Sequence, residues 1–160
     1  MPRRKKEEKL MEQELLAGCN TNPDRLAHGL FAFLLSQILH LNYFQTAVVI
    51  AFALLPDLDI TFMHRELLHN LFVPVFVAAA VNLVSPGLFP LVMLGWYSHI
   101  LLDLLSPSGV SLLFPFSRKR IVFLGLIRSG VPTLMLVGIL VGIFYFIQLS
   151  GWKFALWMVR

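Results

Sequence analysis

The 160-residue chain has one cysteine, Cys19. That excludes an intrachain disulfide and any zinc site built on cysteine. Charge is scarce: 14% of the residues are Asp, Glu, Lys or Arg, against about 25% in soluble domains. Acids are scarcer still. After Arg25 the chain holds only Asp57, Asp59, Glu66 and Asp103, and neither an acid nor a histidine follows Asp103. There is no G-x-S-x-G element, so Ser106, Ser108 and Ser111 cannot be placed on a nucleophile elbow. Phosphate-binding P-loops and dinucleotide fingerprints are missing too, and no internal repeat of useful period is visible. Residues 1–18 open with basic residues, but residues 10–24 hold no continuous apolar stretch of signal-peptide type.

What is abundant is apolar. Hydrophobic residues make up 58% of the chain, where soluble domains sit near 45–50%. A soluble monomer of this size could not hide that surface, and the composition predicts an all-α, multi-pass transmembrane helical bundle. Residues 26–56, 67–102 and 129–152 carry no charged side chain. A polar dent from Asn42 to Gln45 splits the first run, and Ser85-Pro86-Gly87 splits the second. Five membrane helices are expected, near 26–41, 44–56, 68–84, 88–105 and 130–149. The second is short, hence tilted, thin or re-entrant. The chain thus divides into a charged N-terminal segment, 1–25, and a membrane-embedded domain, 26–160.

The formal net charge is +4, but the basic residues stand at the edges of apolar segments. There they set topology and touch anionic lipid headgroups, so no nucleic-acid partner is expected. With a cytoplasmic N-terminus, segments 1–25, 57–67 and 106–129 hold eleven of the thirteen Lys and Arg. The expected location is the cell membrane, multi-pass, with membrane lipids as neighbours.

Ionisable groups in or beside spanning helices are costly and mark function. Here they form three motifs: Leu54 to Asp59 (LLPDLD), His64 to Asn70 (HRELLHN) and Ser98 to Asp103 (SHILLD). His99 and Asp103, four residues apart, share one helix face and can bind one metal ion. Pro56 breaks regular helix bonding and turns Asp57 toward the loop. The up-and-down topology then places His28, Asp57, Asp59, His64, His69, His99 and Asp103 at one membrane level, on the cytoplasmic side. Only His40 falls at the other end. Imidazole and carboxylate suit a divalent metal, zinc first, with manganese or iron as alternatives. Arg65 suits an anionic group. The plainer readings are a buried hydrogen bond for His99 with Asp103, a helix cap for Asp59, a loop position for His64 and a membrane-edge anchor for Arg65.

These motifs resemble a family of inner-membrane metal-dependent hydrolases, also labelled LexA-binding membrane proteins. The resemblance rests on His28-Gly29, Pro56-Asp57-Leu58-Asp59, His64-Arg65 with His69, Ser98-His99 with Asp103, then Gly109 and Pro115-Phe116-Ser117. It covers residues from about 27 to 120. A more distant likeness, to the zinc-dependent phospholipase C and single-strand nuclease superfamily, implies His28, Asp57, His69, His99 and Asp103 as metal ligands. The later histidines and acid of that superfamily's zinc cluster are missing, which leaves one or two metals rather than three. Leu68, Glu66 and Asn70 depart from the family pattern.

The sequence therefore leads to an integral membrane, metal-dependent hydrolase. Its expected reaction is cleavage of a phosphoester in a lipid or lipid-linked substrate by a metal-activated water. Asp59 or His64 would handle protons, and Arg65 would steady the anionic group. The rival readings are an ion or proton transporter or metal sensor built on the same His/Asp cluster, and an inactive scaffold.

Overall fold

A computed structural model describes residues 23–61, 68–125, 127 and 130–158, with the backbone alone at 59–61 and 151–158. The described residues form five α-helices and no β-strand, only the isolated bridge between Val110 and Ile121.

Helix α1 spans Pro23–Ile38. Pro23 suits a first helical position because its missing N–H would be unpaired there anyway, and Asp24 favours the positive end of the helix. The helix stops before the expected residue 41. His40 adopts a left-handed conformation (φ 53°), and the N–H of Leu41 reaches back to the Ser36 carbonyl at 3.0 Å, as in a Schellman ending.

Helix α2 spans Tyr43–Leu54. The polar dent is its cap: Gln45 N–H donates to the Asn42 side chain at 2.9 Å, and Asn42 N–H donates to the Gln45 side chain at 3.0 Å. A 3-10 segment, Leu55–Thr61, follows, so the chain tightens around Pro56 instead of ending in open loop.

Helix α3 spans Phe72–Val84 and begins later than the expected residue 68. The N–H groups of Phe72 and Val73 both donate to Asn70 Oδ1 at 2.9 Å, so Asn70 marks the start. His69 consequently lies in the turn before the helix. At the other end the Asn82 side chain accepts from Gly87 N–H at 2.9 Å, closing the turn to α4.

Helix α4, Phe89–Leu105, is the centre of the bundle. It packs against α1, α2 and α3. The approach to α2 is closest at Gly95, where a Cβ would collide with the Val49 carbonyl oxygen and lie 3.1 Å from Ala53 N. The core runs from Ala32, Val49, Ala53 and Leu91 to Ala78, Val92, Trp96 and Ile100.

Helix α5, Val131–Met158, packs on α1 and continues beyond the expected residue 149. Its stretch Val131–Ser150 is long and apolar enough to cross a membrane, and it is the one such helix among the described residues. Helices α2, α3 and α4 are apolar but shorter. Between α4 and α5 the chain folds back on the end of α4, with Phe123 N–H on the Leu104 carbonyl at 2.9 Å. Gly109 turns this loop with φ 63°, where a Cβ would meet Val122 at 2.7 Å and the Ile121 carbonyl at 2.9 Å.

Candidate metal centre

The start of α1, the end of α2, the start of α3 and the end of α4 meet at one end of the bundle. Each contributes polar side chains to a common point. His28 comes from α1, Asp57 from the 3-10 segment, His69 from the turn before α3, and His99 and Asp103 from α4. Four of them are almost fully buried: His28 at 1% exposure, His69 at 4%, His99 at 0% and Asp103 at 2%. Burying this much polarity in an apolar bundle is costly unless the groups serve one another or a bound ion.

His99 organises the cluster. Its Nδ1 lies 2.7 Å from the Ala53 carbonyl oxygen. A carbonyl only accepts, so Nδ1 carries the proton and donates, and Nε2 faces the cluster, where it offers a lone pair whenever the ring is neutral. The Gly95 contact brings α2 close enough for this bond. From Nε2 of His99, His69 Nε2 stands at 3.0 Å, Asp103 Oδ2 at 3.4 Å and Asp57 Oδ1 at 3.8 Å. His69 Nε2 is 3.2 Å from the same Asp103 oxygen. Two ligands at about 2.0–2.1 Å from a tetrahedral zinc stand about 3.3 Å apart. The separations among His69, His99 and Asp103 are of that size, so these three donors fit one divalent cation in both chemistry and spacing.

His28 completes the near wall. Its ring stacks on His99 with centroids 3.8 Å apart and planes 20° from parallel. Its Nε2 is 3.7 Å from Asp103 Oδ1. The Nδ1 atoms of His28 and His69 are buried and make no hydrogen bond among the described residues. Three overlapping groups have ligand atoms within 4.8 Å of one another: His69, His99 and Asp103; His28, Asp57 and His99; and Asp24, His28 and Asp103.

The supports reach outward from the donors. Trp96 Nε1 donates to the Leu68 carbonyl at 2.9 Å, and Tyr97 OH donates to the Leu71 carbonyl at 3.0 Å, so α4 holds the turn that carries His69 from both sides. Arg25 Nη2 donates to the Asp57 carbonyl at 3.0 Å, and its Nε lies 3.9 Å from Asp57 Oδ2. The Arg25 side chain is partly exposed, at the rim of the cluster.

All five residues expected as ligands are thus brought together, and His40 lies beyond the far end of α1. Asp59 belongs to the 3-10 segment by its backbone. His64 and Arg65 lie outside the described residues. The sequence reading missed Asp24 and Arg25, having assigned everything through residue 25 to a charged terminal segment. The signal was present: Asp24 and His28 are four residues apart, as are His99 and Asp103.

Helices gathered around a buried imidazole and carboxylate cluster define a helical protein with a candidate metal centre, and one helix is long and apolar enough to cross a bilayer. The sequence matches the YdjM inner membrane protein family over residues 24–159, and the chain belongs to that family. Its membrane location follows from that membership. No curated protein and no solved structure matches the chain.

Proposed function

We propose that the protein is a multi-pass membrane hydrolase that depends on a divalent metal and cleaves a phosphoester in a lipid or lipid-linked substrate at the cytoplasmic face. One observation carries this reading: His69, His99 and Asp103 converge at separations suited to the ligands of one cation, with His28 and Asp57 beside them. His69, His99 and Asp103 would hold the cation, and Asp57 and His28 line the same pocket. Held by these residues, a divalent cation, zinc by preference, would supply Lewis acidity and lower the pKa of water toward neutrality.

The chain's own residues do the rest. The Ala53 carbonyl holds His99 in the tautomer that offers Nε2. Arg25, anchored on the Asp57 backbone, holds its guanidinium where an anionic oxygen of the substrate approaches the pocket. Arg65 is the sequence's further candidate for that contact. Asp59 and His64 are the groups proposed to take up and return protons. The apolar helix surfaces admit lipid chains directly to the rim.

The test is release of phosphate or headgroup from a panel of phospholipids and lipid phosphates in mixed micelles. Detergent-purified protein loaded with zinc or manganese is compared with the His99→Ala, Asp103→Ala double variant. Turnover in the wild type and loss of at least a thousandfold in the variant is expected. No release from any substrate by fully metallated protein overturns the phosphoester reading. Metal flux into proteoliposomes, abolished by His99→Ala, would transfer the same cluster to the transporter reading.

A further inference from the structure

The two oxygens of Asp103 face different partners. Oδ2 points to His69 and His99, at 3.2 Å and 3.4 Å. Oδ1 points to His28, at 3.7 Å. That last separation exceeds the range of a direct hydrogen bond, about 2.7–3.2 Å, yet it suits two ligands sharing an ion. Asp24 closes the group on this second side: its carboxylate, His28 and Asp103 have ligand atoms within 4.8 Å of one another. Asp24 lies one helical turn before His28, so both side chains leave the same face of α1. His28 is almost fully buried, and its Nδ1 makes no hydrogen bond among the described residues.

The cluster therefore has a near mirror arrangement. Helix α4 offers His99 and Asp103 four apart, and helix α1 offers Asp24 and His28 four apart. A carboxylate with one oxygen toward each set is placed to bridge two cations. We propose that Asp24, His28 and Asp103 form a second divalent-cation position, next to that of His69, His99 and Asp103, with Asp103 shared between them. The second position rests on the metal-dependent reading above and deepens it to a two-metal centre.

The donor sets predict different preferences. Two imidazoles and one carboxylate at the first position suit zinc. Two carboxylates and one imidazole at the second are harder and accept manganese as readily. The second ion is thus the more weakly held and the first to leave on dialysis.

Asp24 has another task, since its Oδ1 accepts from Gly130 N–H at 3.1 Å and ties the start of α5 to α1. The substitution that separates the two roles is Asp24→Asn, which keeps the oxygen acceptor and removes the charge. Asp24→Glu keeps the charge and serves as the rescue. Full-length protein in detergent is stripped with chelator and reloaded with manganese. Metal per chain is counted by mass spectrometry, and electron paramagnetic resonance is recorded.

The expected result is two ions per wild-type chain with a spin-coupled manganese signal. Asp24→Asn should hold one ion with an uncoupled six-line signal, and Asp24→Glu should return to two. One ion in the wild type, or two in Asp24→Asn, overturns the second position and leaves the single-metal reading standing. No ion in the wild type overturns both. Should Asp24→Asn fail to fold, the wild-type spectrum alone decides: a coupled pair supports the proposal, and an isolated ion refutes it.

Discussion

Gly95 offers the sharpest test of how the fold builds the centre. An alanine there would place its Cβ against the Val49 carbonyl oxygen, 3.1 Å from Ala53 N and 3.1 Å from Phe52 Cβ. Two of these atoms belong to the backbone of α2, so no rotamer change relieves the contact and the helices must separate. Overpacking of this kind costs about 1–3 kcal/mol, and backbone contact places Gly95→Ala at the upper end. For a chain of this size, about 2–4 °C are lost per kcal/mol, so a fall in Tm of about 6–12 °C in detergent is expected. The damage also reaches the site, because the carbonyl of displaced Ala53 orients His99 at 2.7 Å. Loss of such a supporting bond typically weakens metal affinity about 10–100-fold. Gly138 and Gly142 on α5 are the controls, since a Cβ at either meets nothing within 4 Å. Their alanine variants should be neutral or gain up to about 1 kcal/mol from helix propensity. Thermal melts and zinc competition titrations on the three variants decide the matter. A Gly95→Ala protein with wild-type Tm and zinc affinity would refute the claimed link between helix approach and His99.

Three further outcomes follow from the same geometry. Asn70→Ala removes the acceptor of two helix N–H groups and should lower stability by about 1–2 kcal/mol, whereas Asn70→Asp should retain it; chemical denaturation in detergent checks both. Zinc at a hundred times its Kd should stabilise the wild type by about 2.7 kcal/mol and leave the Tm of His99→Ala unchanged, as read by differential scanning fluorimetry. Arg25→Gln should raise the KM for an anionic lipid substrate about tenfold while metal content, measured by elemental analysis, stays at the wild-type value.

The sequence announced the gathering of the site better than the bounds of its helices. The four-residue spacing of His99 and Asp103, and the alternation of helix direction, sufficed to bring five donors to one end. Helix ends depended on side-chain bonds that hydropathy does not register. Asn70 delays α3 to Phe72 by taking two N–H groups, and His40 ends α1 by turning left-handed. Asp24 and Arg25 escaped notice for a related reason. Charges at the margin of an apolar run look like topology signals, and only the packing of α1 beside α4 reveals that these two face inward or line the rim. The bond from the Ala53 carbonyl to His99 could not be read at all, since it joins a backbone atom to a side chain forty-six residues away.

Helix length bears on which substrate the centre can reach. Helices α1 to α4 have 16, 12, 13 and 17 residues, or about 24, 18, 20 and 26 Å at a rise of about 1.5 Å per residue. All fall short of a hydrocarbon core about 30 Å thick. The 20-residue stretch of α5 matches it. Asp24 accepts from Gly130, the residue before α5, so the start of the full-length helix fixes the level of the cluster. On the reading proposed above, Asp24 lies at the bilayer edge and His28 about one turn, roughly 5 Å, deeper. A centre at that depth is reached by a phosphoester carried on a lipid, whose reacting group already sits at the interface. A water-soluble ester would have to leave water to arrive. The expected result is a kcat/KM at least a hundredfold higher for a long-chain lipid phosphate in vesicles than for p-nitrophenyl phosphate, with both assayed on the same zinc-loaded sample. Equal turnover of the two would refute the depth assignment and place the donors in open water.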